Sequence, residues 1–177
     1  MKKTALVALA ILTLCTMTAL AASSNASTTL SVAVAAGANI SVPATTTLTY
    51  SGTFPTGTYS GATTVTFSCR TTRVGGTGDV KLQATAATWT AAGGATTGPL
   101  LTDVTYGAAA GTYAGVGTYS AAGTAILNGT DTNVLTGLGA NNRVNGKTIT
   151  TTFSMGDNPT WETDTYTLPI KFTLTAL

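Results

Sequence analysis

The chain contains no histidine. That removes the commonest general base near neutral pH and the commonest transition-metal ligand. Cysteine is almost as scarce: Cys15 and Cys69 are the two present, and Cys15 lies in an N-terminal apolar run that reads as removed on export. With Cys69 alone in the mature chain, a Cys-rich zinc site and an intramolecular disulfide are both excluded. Charged residues make up 8% of the chain, against roughly 25% in typical globular proteins. Lys2 and Lys3 account for the formal net charge of +2. Without them Arg70, Arg73, Lys81, Arg143, Lys147 and Lys171 balance Asp79, Asp103, Asp131, Asp157, Glu162 and Asp164. No basic patch offers itself to nucleic acid or anionic lipid. After residue 21, no apolar run approaches the roughly 20 residues that a bilayer-spanning helix needs.

The N-terminus has the three parts of a secretory signal peptide. Lys2 and Lys3 form a positive n-region, and Ala5 to Leu14 is apolar except for Thr13. Ala19-Leu20-Ala21 supplies the small-x-small cleavage site. Cleavage is expected after Ala21, with Ala22 the alternative. Thr13 and Leu14 are not the small residues that lipoprotein cleavage requires, so Cys15 reads as an ordinary apolar-region residue. The organisation expected is a signal peptide over 1–21, an N-terminal strand segment over 22–36 and a β-domain over 37–177. The route is bacterial-type export, giving a secreted or cell-surface protein. A mature chain of about 155 residues suits one domain with a real core.

Thr, Ala, Ser and Gly replace the missing charge. A neutral, sparsely charged surface favours association over repulsion. No long stripe of 3.6-residue period follows the leader, and the apolar pattern has period 2, so strands are expected throughout. Leu30, Val32, Val34, Ala36, Ala38, Ile40 and Val42 occupy successive even positions, with Gly37 a potential break. Leu48 with Tyr50, and then Val65, Phe67 and Cys69, continue the series. Gly75-Gly76-Thr77-Gly78 reads as a hairpin turn, leading to a return strand with Val80, Leu82 and Ala84. Residues 86–98 read as loop, and 100–106 as a strand. The Tyr106–Gly123 stretch reads as short irregular strands. Ala125 to Leu127, Val134-Leu135 and Thr148 to Phe153 follow as strands. A closing strand places Tyr166, Leu168, Ile170, Phe172, Leu174 and Ala176 on one face. Short strands at this spacing indicate an all-β, Ig-like antiparallel sandwich.

Candidate chemistry is sparse, and no catalytic, metal or cofactor site is expected. Cys69 shares a face with Val65 and Phe67, which reads as a buried free thiol. An intermolecular disulfide would instead need it on the surface. Asp157, Glu162 and Asp164 could serve acid–base chemistry or hold calcium. They sit at an Asn158-Pro159 turn, however, where Asp and Asn are favoured for backbone reasons alone. Trp89 and Trp161 read as core or sheet cover, or as sugar-stacking platforms. The sequons at Asn25, Asn39 and Asn128 match the acceptor pattern for glycosylation, which a bacterial export route leaves idle.

The two ends of the mature chain are the informative pair. The closing strand has an apolar face that must be covered, and the N-terminal strand has matching alternation. That strand either folds back within its own subunit or fills the groove of the next, which is strand addition in trans. Repeated head-to-tail contacts of the second kind build an open fibre. The pattern alone fits both closures.

Leu30-Ser31-Val32-Ala33-Val34, followed by Ala38-Asn39-Ile40-Ser41-Val42, resembles the opening of secreted spore coat protein U-type domains and archaic chaperone–usher pilins. Asp164-Thr165-Tyr166 running into Leu168-Pro169-Ile170-Lys171-Phe172-Thr173-Leu174 is similar to their closing strand. The resemblance covers about 30 residues at the two ends. It implies an incomplete Ig-like sandwich completed by a neighbour's N-terminal strand. It further implies a homopolymer, with a periplasmic chaperone and an outer-membrane assembly protein as partners. Asn39 stands where the family often has a cysteine, so the disulfide that the resemblance implies is missing. Pro169 lacks an N–H in the strand that would accept the donor.

The expectation is a non-enzymatic structural subunit of an extracellular filament or surface layer. Leu30, Val32, Val34 and Ala36 would form the donor strand. Tyr166, Leu168, Ile170, Phe172 and Leu174 would line the acceptor groove. The alternative is a secreted monomeric Ig-like module that binds polysaccharide or another surface ligand.

Overall fold

A computed structural model describes residues 29–177. The signal peptide expected over 1–21, the start of the segment expected over 22–36, and the sequon at Asn25 lie outside the described residues. The chain divides into two units, Met1–Ala33 and Val34–Leu177. Of the first, Thr29–Ala33 carry no regular structure.

The second unit is an antiparallel β-sandwich. Its strands are β1 (Gly37–Ser41), β2 (Thr49–Ser51), β3 (Thr58–Arg70), β4 (Gly78–Ala84), β5 (Thr90–Ala91), β6 (Val104–Ala110), β7 (Thr118–Tyr119), β8 (Thr124–Ala125), β9 (Thr132–Thr136), β10 (Arg143–Gly156), β11 (Tyr166–Thr167) and β12 (Ile170–Ala176). One sheet runs β1-β3-β10-β6-β8, with β2 also paired to β3. The other runs β12-β4-β9-β7, and β11 with β5 forms a separate ribbon. In sheet order β1, β3, β10 and β6 occupy the places of strands A, B, E and D of an Ig sandwich. β4 and β12 occupy those of C and F.

Period-2 patterning decides which residues enter the core. Val65, Phe67 and Cys69 of β3, and Ile149, Thr151, Phe153 and Met155 of β10, point inward from the first sheet. Val80, Leu82 and Ala84 of β4 and Leu135 of β9 oppose them, all fully buried. Burying each large apolar side chain contributes about 1.5–3 kcal/mol. Tyr106 of β6 crosses between the sheets, its hydroxyl donating to Asn133 O. Phe67 packs edge-on against Tyr113, with ring centroids 5.3 Å apart.

Several sequence expectations are corrected. Gly75–Gly78 does not close a hairpin, because β3 and β4 belong to different sheets. The segment carries the chain across the sandwich instead, with Gly75 at φ 66° in its turn. Residues 86–98 contain β5, which pairs with β11. The expected strand over 100–106 begins as a single 3-10 turn, Leu101–Asp103, and β6 then runs on to Ala110. The first alternating strand forms only from Gly37 onward. The closing strand is broken at Leu168-Pro169: β11 leaves for the ribbon and β12 joins β4. Pro169 supplies the reason, since it has no N–H for a ladder.

Candidate subunit interface

β12 stands at the edge of its sheet, with β4 as its one strand neighbour among the described residues. The register pairs Ile170 with Ala84, Phe172 with Leu82, Leu174 with Val80 and Ala176 with Gly78. On β4 these positions are sealed: Val80, Leu82 and Ala84 have no exposed surface. Their partners Ile170, Phe172, Leu174 and Ala176 pack against the core yet are only half-buried. The inward face of β12 is therefore incompletely covered, on the edge where an Ig sandwich carries its G strand.

The hydrogen bonds give the direction of every peptide group on β12. Ala84 N donates to Leu127 O at 2.9 Å, and Ala84 O accepts from Gly129 N at 3.0 Å, so Ala84 faces away from β12. Leu177 N donates to Thr77 O at 2.8 Å, and Thr85 N to Pro169 O at 3.0 Å, so odd-numbered residues face β4. By antiparallel alternation, the N–H and C=O groups of Ile170, Phe172, Leu174 and Ala176 point to the open edge. Backbone pairing capacity and half-covered apolar side chains thus coincide on the same four residues.

The residues expected to line the groove separate into two groups. Ile170, Phe172 and Leu174 share the inner face of β12, and Leu168, just before it, packs against the core. Tyr166 lies apart on β11. Its hydroxyl is 2.9 Å from Thr97 O and 2.6 Å from Glu162 O, either of which accepts its proton. Gly98 makes room for this ring, since a Cβ there would sit 2.3 Å from Tyr166 Cε1. Burial, and then the Asp164 and Glu162 carboxylates, push the Tyr166 phenol up from its ordinary value.

The segment expected as donor has no strand structure: residues 29–36 are unpaired. Leu30 is 94% exposed, Val32 84% and Val34 63%, and Ala36 is half-buried. Arg70 Nε donates to Ala35 O at 2.7 Å, fixing where the chain leaves β1. Sequence reasoning missed this bond, because Arg70 reads simply as the polar end of a strand.

The acidic cluster is a loop anchor. Asp164 accepts from Gly93 N at 2.7 and 2.9 Å and from Ala95 N at 3.0 Å. Glu162 accepts from Thr96 N at 3.0 Å and Thr96 Oγ1 at 2.9 Å. The amides of Ala95 and Gly93 hold the Asp164 carboxyl below its ordinary value, and Thr96 does the same for Glu162. Asp157 stands apart, bonding Asn158 N. No three His, Cys, Asp or Glu residues among those described gather into a group able to hold a metal ion. Cys69 is a buried free thiol whose pKa burial raises. Trp89 and Trp161 both pack against the core, and Trp89 Nε1 donates to Leu100 O at 3.2 Å.

Comparison of the chain with protein-family models, with curated proteins and with solved structures gives no match.

Proposed function

We infer that this protein is the structural subunit of an extracellular filament or surface layer, joined head to tail by β-strand addition. The observation that carries the reading is the open, half-covered edge of β12. Leu30–Ala36 supplies seven residues of matching alternation, and β12 is seven residues long. Inserted beside β12 of a neighbour, Leu30, Val32, Val34 and Ala36 would cover the side chains of Ile170, Phe172, Leu174 and Ala176. Their backbone would satisfy the outward N–H and C=O groups.

The direction follows from where the chain leaves the sandwich. β1 begins beside Arg70, at the end where β12 finishes. A copy stacked on that end receives the segment antiparallel to its own β12. The three large apolar side chains would each contribute about 1.5–3 kcal/mol, enough for a strong joint. A periplasmic chaperone and an outer-membrane assembly protein fit this reading as partners that shield the edge before assembly.

The test is the electrophoretic state of native protein recovered from the cell surface. A detergent-resistant ladder that collapses to monomer on boiling supports the reading. Monomer alone, before and after heating, contradicts it.

The second reading, a secreted module that binds polysaccharide, rests on a row of aromatics. Tyr50 and Tyr59 centroids lie 5.1 Å apart, and Tyr59 and Trp161 6.5 Å apart. Glycan-array signal lost on Trp161→Ala, from a stable monomer, would favour it.

A further inference from the structure

We propose that the two ends of the sandwich form a charge-complementary joint, the basic end of one copy seating on the acidic end of the next. The inference rests on the filament reading and deepens it. Arg70 and Arg143 are Cα partners where β3 finishes and β10 begins. Arg73 lies in the turn that follows, beside Thr72, whose carbonyl accepts from Asn141 N at 2.8 Å. Lys147 closes the bulge after Val144 at the same end, so the fold gathers a basic cluster that the sequence order does not display. Among the described residues Asp79 is the one carboxylate side chain there, its Oδ1 accepting from Gly137 N at 3.1 Å.

The opposite end is acidic. Gly156 pairs with Thr58, and Asp157 N donates to Gly57 O at 3.0 Å. Asp103 precedes Val104, whose partner is Met155 on β10. Glu162 and Asp164 anchor the 93–97 loop. Asp131, just ahead of β9, lies in the same half, since Thr132 pairs with Leu82. Lys81 sits midway on β4, and Lys171, opposite Gln83 near the start of β12, is the one base in the acidic half among the described residues. Thus neutrality overall conceals a segregation along β3, which at about 3.3 Å per residue separates the ends by about 40 Å.

Like charges directly opposite one another, as at Arg70 and Arg143, destabilise a strand pair. Within one subunit Arg70 Nε donates to Ala35 O and Arg143 Nη2 to Asn141 Oδ1 at 3.0 Å, and between copies the pair would add to the basic end. Val34–Ala36 leave the sandwich at the basic end, beside Arg70. A copy that receives this segment in the same orientation presents its acidic end. Attraction acts within a Debye length, about 10 Å at 0.1 M salt, so it guides the final approach and rejects head-to-head encounters.

The test uses full-length protein, exported and recovered from a bacterial host. Its elongation is followed by light scattering at about 0.01 M and about 1 M salt. Wild type is expected to elongate about tenfold more slowly at high salt. An Arg73→Glu, Arg143→Glu, Lys147→Glu variant is expected to be slow at both and to melt no lower than wild type, since these side chains are exposed and Arg143→Glu removes the like-charge pair with Arg70. Wild-type polymers whose rate ignores salt, or a folded variant that elongates normally, would overturn the joint and leave the filament reading standing. If the variant fails to fold, the salt dependence of wild type decides. Absence of wild-type polymer at every salt concentration would overturn both.

Discussion

Thr85 N donates to Pro169 O at 3.0 Å, so the N–H that Pro169 lacks would have faced β4. The proline therefore leaves the open edge of β12 intact, and every donor position on that edge from Ile170 onward belongs to a residue with an N–H. Pro169→Ala would allow a reciprocal bond to Thr85, worth about 0.5–1.5 kcal/mol. Loss of proline returns about 0.4–1 kcal/mol of unfolded-state entropy. Denaturant unfolding should show stability changed by less than about 1 kcal/mol. Polymer yield by sedimentation should not change.

Thr151 is fully buried, and its Oγ1 has no partner among the described residues. Val has nearly the same shape without the hydroxyl. Thr151→Val should raise stability by about 1–2 kcal/mol in a denaturant melt.

Leu82 and Phe172 are Cα partners with different surroundings. Leu82 has no exposed surface, and Leu82→Ala should cost about 2–5 kcal/mol in the isolated subunit. Phe172 is half-buried, so Phe172→Ala should cost less there than the roughly 3–5 kcal/mol of a fully buried phenylalanine. Its larger effect should appear in polymer yield, because that face is the one a donor strand would cover.

The Asp164 and Glu162 carboxyls sit below their ordinary values because backbone amides of the 93–97 loop bind the ionised forms. Their folded pKa values are depressed, so the stability they contribute is present above the ordinary carboxylate range. It is lost as pH falls through the lowered folded values. Thermal melts should show the midpoint declining from about pH 4 downward. Asp164→Asn should lower the midpoint at pH 7 and flatten that decline. A variant with wild-type acid sensitivity would show that the anchor lies elsewhere.

Much of the fold was legible because period 2 leaves little freedom. Ile149 and Phe153 fix the parity of β10, and that parity buries Thr151 despite its place in a Thr150-Thr151-Thr152 run. Where the sequence is poor in large apolar residues, parity has nothing to report. The ribbon of Thr90–Ala91 with Tyr166–Thr167 is held by Asp164, Glu162 and Tyr166 bonding the 93–97 loop across about 70 residues, which no local pattern encodes. Gly75–Gly78 has hairpin composition but joins two sheets, because a turn signal fixes a reversal and not the partner of the strand that follows. The candidate interface was legible as two matching alternations. Which residues of β12 turn their N–H and C=O groups to the open edge needed the directions of the backbone hydrogen bonds.

The most direct measurement compares exported wild type with Val32→Asp by electron microscopy and sedimentation. Val32 is 84% exposed, so the substitution should move subunit stability by no more than about 0.5 kcal/mol. Fibres from wild type and folded monomers from Val32→Asp are the expected result. Monodisperse wild-type monomers, or fibres from both, would contradict strand addition through residues 30–36.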